Sequence, residues 1–339
     1  MQRLLPISEP TQSWTEQLQQ MLTSLEQLQH YLGLSHPPEP LDTAMNLQFP
    51  VRVTRFFADL MQPGDWQDPL LRQVLPWASE RAITPGYHTD PLAENAATPT
   101  AGLIHKYARR VLVLPTSACA IHCRYCFRRH FPYQEHRLQA SDKTALLNYL
   151  TADPTINEVI FSGGDPLMLQ DSQLAQWVQE LAAIPQLSRI RIHSRLPVVL
   201  PDRLTTPLFE ALTQSRLNVV LVLHANHPQE ISDALRLRLR PWRQSSVTLL
   251  NQSVLLAGVN DSAKVLTALS EALFSAGVLP YYLHVLDRVQ GTAHFEVDDA
   301  TAQRIHLELQ RQCPGFLVPK LVREEPNVPS KTWLNAPMY

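Results

Sequence analysis

Cys119, Cys123 and Cys126 lie in one short run, Thr116-Ser117-Ala118-Cys119-Ala120-Ile121-His122-Cys123-Arg124-Tyr125-Cys126, with the spacing C-x3-C-x2-C. A thiolate is a soft metal ligand, and the count of three is informative. Structural zinc sites are closed by four ligands, whereas three leave a coordination position free for a substrate or cofactor. His122 could complete a zinc site, so that reading stays open at this point. The fourth cysteine, Cys313, stands before Pro314-Gly315 and reads as a buried small residue. A second candidate is Ser162-Gly163-Gly164-Asp165-Pro166. Its glycines would let the backbone approach a ligand closely, although Gly-Gly-Asp-Pro alone is an ordinary turn.

The elements that must position these residues follow from periodicity. Strands are expected at Val111–Pro115, Glu158–Ser162, Arg189–Ser194, Asn218–Ala225, Ser246–Leu256 and Leu279–Leu286. Helical crossovers are expected at Ala140–Leu150, Ser172–Ala183, Pro207–Gln214, Pro228–Arg238 and Ser262–Ala276. This alternation implies an α/β fold with a parallel sheet, either a partial (β/α) barrel or a doubly wound open sheet. Both place active groups at the carboxyl ends of the strands. The cysteine loop follows the first of these strands and the glycine turn closes the second. Before them, Leu18, Leu22, Leu25, Leu28 and Leu32 predict one amphipathic helix over Gln12–Leu32, and a short helix is expected at Val53–Met61. The expected division is an N-terminal helical accessory region 1–100, a barrel 101–290 and a C-terminal segment 291–339.

Composition narrows the function classes. The chain has 339 residues, enough for a complete enzyme. A formal net charge of -2 gives no basic field for nucleic acid or an anionic membrane. Apolar runs such as Val219–Leu223 fall far short of the roughly 20 residues that cross a bilayer, so no membrane span is expected. Met1–Trp14 carries Pro6 and Pro10 and lacks the layout of a secretory signal. Clustered cysteines without a disulfide framework suit the reducing cytoplasm.

The cysteine loop followed by the Ser162–Asp165 turn resembles the signature of radical S-adenosylmethionine (SAM) enzymes. That resemblance implies a [4Fe–4S] cluster on Cys119, Cys123 and Cys126, with the fourth iron chelated by the methionine of SAM. Other stretches resemble the lysine 2,3-aminomutase family over about 48–331: Asp90-Pro91-Leu92, Gly102–Tyr107, Cys126-Phe127-Arg128-Arg129, His193-Ser194-Arg195, Asn226–Glu230 and Asn251–Leu256. The implied fold is a partial (β/α)6 TIM-type barrel of the radical SAM kind. The implied cofactors are the cluster, SAM and pyridoxal 5'-phosphate (PLP). Lys331, in Pro329-Ser330-Lys331-Thr332, matches the family's Schiff-base lysine, with Lys320 as competitor. Lys106 and Arg110 match cations for the PLP phosphate, and Tyr107 a residue on the cofactor ring. Ser162, Gly163, Gly164, Asp165, Ser194 and His227 are the implied SAM contacts. Arg128 matches the clamp on the substrate α-carboxylate, and Asp287 with Glu324 the acids for the distal ammonium.

Ser262 and the short tail after Lys331 lack the cysteines of an intersubunit zinc site, which is expected to be absent. The tail and the 317–324 stretch resemble the bacterial branch that makes (R)-β-lysine from L-α-lysine for elongation factor P. Implied partners are L-lysine, an electron donor such as a flavodoxin or ferredoxin, and a functional link to the elongation factor P ligase; oligomeric state, a homo-oligomer included, is left open. Alternatives are an aminomutase for another amino acid and a non-catalytic iron–sulfur or zinc regulatory protein.

Overall fold

The computed structural model describes residues 12–42, 49–132, 138 and 140–334. Most of the Met1–Trp14 segment read for a secretory signal, and the last five residues of the short tail, lie outside the described residues. Nine strands there form one sheet: β1 (Leu103–Tyr107), β2 (Arg110–Val113), β3 (Glu158–Phe161), β4 (Arg189–Ser194), β5 (Asn218–His224), β6 (Thr248–Val254), β7 (Leu279–His284), β8 (Lys320–Arg323) and β9 (Thr332–Trp333). Their spatial order is their chain order.

That order decides between the two folds left open by periodicity. A doubly wound sheet reverses direction at a switch point, whereas a barrel winds one way throughout. Here β2 to β8 are parallel neighbours in sequence, with β1 and β9 pairing antiparallel at the two edges. The sheet does not close, and the fold is a partial TIM-type barrel. All six expected strands are present within a few residues of their expected ends. β8 was not among them because four residues after Pro319 are too short a run to show alternation.

Each parallel step needs a crossover, and amphipathic helices supply them. The helix Asp171–Ala182 buries Leu174, Trp177, Val178 and Leu181, spaced to form one face. The helix Asp299–Gln312, between β7 and β8, buries Ala302, Ile305, His306 and Leu309 and starts at the Asp298 cap; its many charges hid it from the sequence reading. The helix expected at Pro228–Arg238 instead spans Asp233–Arg243, capped by Ser232. Pro228–Glu230 is a separate turn, because the Glu230 carboxylate folds back onto the Asn226 and His227 amides at 2.9 and 3.0 Å.

The single N-terminal helix expected over Gln12–Leu32 is two, Trp14–Gln19 and Leu25–Leu32. Leu22 leaves the helical path to pair with Val53, exchanging backbone bonds of 2.8 and 3.0 Å, and Ser24 caps the second helix. The short helix at Val53–Met61 is present as Arg55–Asp59. This N-terminal region shares one apolar core with the barrel: Leu28, Phe57, Leu70 and Val74 pack in the same cluster as Val159, Ile190 and Leu221. Cys313 is buried in a second cluster with Leu309 and Leu317. Among the described residues no helix is long and apolar enough to cross a membrane.

One ionic knot joins the N-terminal region to the cysteine loop. Glu80 is buried and accepts from Arg124 Nε and Nη2 at 2.9 and 2.5 Å and from Arg129 Nη2 at 2.7 Å. Removing one member of a buried ion pair leaves the other charge uncompensated, at a cost of about 3 to 5 kcal/mol. Glu80→Ala is therefore expected to lower the midpoint of denaturant unfolding strongly, while Glu39→Ala on the exposed surface leaves it unchanged; circular dichroism against urea concentration checks this.

Candidate active site

The cysteine loop has no regular secondary structure, so its backbone groups must find partners elsewhere. Arg52 Nη1 donates to the Cys119 carbonyl at 3.0 Å, the His122 amide to the Arg52 carbonyl at 3.0 Å and the Arg124 amide to the Gln73 carbonyl at 2.8 Å. From the other side the Gly164 amide donates to Thr116 and the Asp165 amide to Ala118, at 3.0 and 2.8 Å. The glycines are required by this contact. Gly163 has φ +111°, and a Cβ on Gly164 would lie 2.4 Å from the Ala118 carbonyl oxygen. The glycine turn and the cysteine loop are thus one backbone unit.

Asp165 serves that unit from within. Its carboxylate accepts from the amides of Leu167, Arg195 and Leu196 and from Ser194 Oγ, at 2.7 to 3.0 Å. Ser194 is consumed in this bond and does not line the central cavity, and the His227 ring caps its own turn by accepting from the Gln229 amide. Of the six residues matched to SAM contacts, Ser162, Gly163, Gly164 and Asp165 line the cavity.

That cavity, of about 1100 Å³, runs along the inside of the sheet, lined from Arg110, Glu158 and Arg189 at the first residues of β2, β3 and β4 to His224 and His284 at the last residues of β5 and β7. A pocket for one small ligand spans roughly 300 to 1,000 Å³, so this one has room for more than a single small molecule. Cys119, Cys123 and Cys126 lie on its wall together with Lys106, Tyr107, Arg110, Arg128, Asp287, Glu324 and Lys331. Burial pushes the Cys119 thiol well above its ordinary range, with Asp165 and the other two cysteines adding to it; burial likewise pushes Cys126 up to about 11. Three adjacent, half-buried thiols whose charges would repel one another form a donor set a cationic metal centre would satisfy. The His122 ring stacks on Phe49 at 4.5 Å and its Nδ1 bonds the Pro50 carbonyl at 2.8 Å. Among the described residues no three His, Cys, Asp or Glu converge on a single metal-ion position.

Glu324, directly after β8, gathers three donors. Lys331 Nζ and the Tyr107 hydroxyl bond it closely, and Lys106 Nζ lies 3.4 Å away. Burial works against the carboxylate, but Lys331, Tyr107 and Lys106 outweigh it and hold the group down at about 2. The Arg110 guanidinium lies 4.6 Å from the centre of the Tyr107 ring, and Lys331 Nζ 5.6 Å from that of Tyr282. Lys320 does not line the cavity, although its Nζ lies 5.0 Å from the centre of the Trp333 ring, which does.

Arg128 links Glu94 to the end of β3. Its Nε and Nη2 both donate to Glu94 at 2.7 Å, and Nη1 to Ser162 Oγ at 2.9 Å. Glu94 was not singled out from the sequence, although it stands two residues beyond the Asp90-Pro91-Leu92 stretch. Nor were His224 and His284, which with His193 line the cavity from the ends of β4, β5 and β7. Burial drives all three imidazoles down, His224 to about 3, and their Nε2 atoms have no hydrogen-bond partner among the described residues. Histidines at the carboxyl ends of parallel strands were the available signal.

Residues 108–189 match the family described as a 4Fe-4S single cluster domain. Over its length the chain is 46% identical to the L-lysine 2,3-aminomutase of Escherichia coli (strain K12), covering 99% of this chain and 98% of that protein. It is 43% identical to the protein of the same name from Haemophilus influenzae, covering 96% and 97%. It is 33% identical to that of Clostridium subterminale, covering 94% of this chain and 77% of the longer relative.

Asp287 carries a pH signature. Burial, only partly offset by Lys331, pushes its carboxyl up to about 7. The folded chain then holds a proton that the unfolded chain has released, so this group's contribution to stability declines from about pH 4 to about pH 7. Asp287→Asn removes that decline. The stability difference, variant minus wild type, is expected to grow by about 2 kcal/mol between pH 4.5 and 7.5, allowing for water in the cavity; urea titrations across that range measure it.

Proposed function

The chain belongs to the L-lysine 2,3-aminomutase family, and from that premise we propose that it converts L-α-lysine to (R)-β-lysine for attachment to elongation factor P. It is an isomerase that moves an amino group between adjacent carbons. The observation that carries the reading is one cavity holding three thiols, a cationic cradle and two separated carboxylates. When bound, the [4Fe–4S] cluster and SAM supply one-electron, hydrogen-atom chemistry, and PLP supplies a π-system for the migrating nitrogen.

The chain's own residues divide the remaining work. Cys119, Cys123 and Cys126 would hold the cluster through their three thiolates, and a multi-iron group needs no convergence on a single ion. The glycine turn, fixed to their loop, offers close backbone approach to the methionine end of SAM. Lys106 and Arg110 face the PLP phosphate, where two cations satisfy a doubly charged group, and Tyr107 packs beside them. Lys331 is the covalent anchor. Its position on the cavity wall, where Lys320 is not, favours it over that competitor.

Arg128 holds the substrate α-carboxylate, braced from behind by Glu94. Asp287 and Glu324 receive the distal ammonium, a pair of acids that suits a cationic side chain and disfavours an acidic one. Holding both ends of lysine fixes its reacting carbons relative to the cofactors, and proximity of this kind contributes much of the rate in such reactions. The compartment in this reading is the cytoplasm, with a flavodoxin or ferredoxin as electron donor and the elongation factor P ligase downstream.

Anaerobic reconstitution with iron, sulfide, PLP and SAM, followed by dithionite and labelled L-lysine, tests the proposal. Chiral chromatography is expected to show (R)-β-lysine; none from a protein with a full cluster refutes it. Lys331→Ala is expected to lose the visible PLP absorbance after desalting and to form no product, and Lys320→Ala to keep both. Retention of the band in Lys331→Ala would transfer the anchor to Lys320.

A further inference from the structure

The residue that reaches furthest into the cysteine loop is an arginine to which neither substrate nor cofactor binding assigns a part. Arg195, directly after β4, is buried. Its Nη1 donates to Cys123 Sγ at 2.9 Å and also bonds the Tyr125 hydroxyl closely. Its Nη2 donates to Gln73 Oε1 at 2.8 Å and to Glu230 Oε2 at 3.1 Å. The guanidinium lies between two rings, 5.4 Å from the centre of Phe57 and 5.6 Å from that of Tyr125. A charge so enclosed, away from bulk water, acts on its neighbours more strongly than a solvated one.

The surrounding bonds hold the guanidinium in place. The Arg195 amide donates to Asp165 at 2.8 Å, which ties the backbone to the glycine turn. Asn226 Nδ2 donates to Gln73 Oε1 at 2.9 Å and to the Tyr125 hydroxyl at 2.7 Å, fixing two of the arginine's four side-chain acceptors. Glu230 is the opposing charge, but its other oxygen accepts from Gln73 Nε2 and two backbone amides. Its negative charge is therefore shared among four donor groups, while Arg195 keeps a direct bond to the sulfur.

We infer that Arg195 is a tuning residue for the iron–sulfur centre, raising its reduction potential through a charged hydrogen bond to the Cys123 sulfur. The inference rests on the proposed reading of Cys123 as a cluster ligand. Reduction adds one electron, and so one negative charge, to the cluster and its three thiolates; the electron comes from an external one-electron donor. A fixed cation bonded to a ligand sulfur stabilises the more negative, reduced form. Arginine suits the task because it never deprotonates and its planar fork serves sulfur, hydroxyl, amide and carboxylate acceptors together.

The test uses the full chain reconstituted anaerobically with iron and sulfide, without lysine, and titrated with dithionite while the reduced cluster is followed by electron paramagnetic resonance. Arg195→Met is expected to retain iron and sulfide but to show a midpoint shifted to more negative potential. Arg195→Lys, which keeps the charge and loses the fork, is expected to shift the same way by less. An unchanged midpoint in Arg195→Met with full cluster content overturns the inference. If Arg195→Met assembles no cluster, Arg195→Lys decides: a more negative midpoint supports the inference and a wild-type midpoint overturns it. Failure of the wild-type chain to assemble a [4Fe–4S] cluster would instead sink the reading of the three cysteines, a separate outcome.

Discussion

The buried carboxylate of Glu80, shared between Arg124 and Arg129, is the constraint on which the cavity wall depends. Residues 115–132 form neither helix nor strand, yet they carry the three cysteines and Arg128. An irregular segment this long has no hydrogen-bond ladder of its own to fix it. Two of its side chains are fixed to one acid, and its backbone is laced to residues 52 and 73 outside and to residues 164 and 165 inside. The N-terminal region is thus the outer half of a clamp whose inner half is the barrel, which explains why the two share a single apolar core.

The same device recurs around the cavity: a buried or half-buried acid fixes the orientation of a neighbouring cation. Glu94 takes two donors of Arg128 and leaves Nη1 directed to Ser162. Glu230 takes one arm of Arg195 while the other reaches Cys123. Glu324 gathers Lys106 and Lys331. Such pairs are expensive to bury, because desolvation consumes much of the Coulomb gain. Their return is geometric, since a paired guanidinium has few alternative orientations, and cations presented to anionic ligands must not wander.

The sequence disclosed the parts of this molecule that repeat with a period or stand close together along the chain. Six strands of the barrel were readable because Val219–Leu223 and its counterparts are apolar runs bounded by turns. The cysteine loop and glycine turn were readable as compact motifs. The winding direction was not, because the order of neighbours leaves no trace in a one-dimensional pattern. The break at Leu22 was hidden for a related reason: leucines at helical spacing continue through it, and only the distant partner Val53 turns the chain aside. Glu80 and Glu94 escaped notice because each acts on an arginine more than thirty residues away. Lys331 and Glu324 were placed by resemblance, and their mutual contact followed only from β8 and β9 lying side by side.

That contact bears on how two acids can divide one task. Glu324 is held ionised by three donors, whereas burial, only partly offset by Lys331, raises the Asp287 carboxyl to about 7, so that it is part protonated near neutral pH. In the proposed reading, an ammonium entering beside Asp287 favours its ionised form and draws off the remaining proton. A neutral side chain of similar length would not shift Asp287 toward its ionised form and would gain no ion pair from it. Selectivity for a positive charge then follows from the burial of one carboxylate as much as from the presence of two.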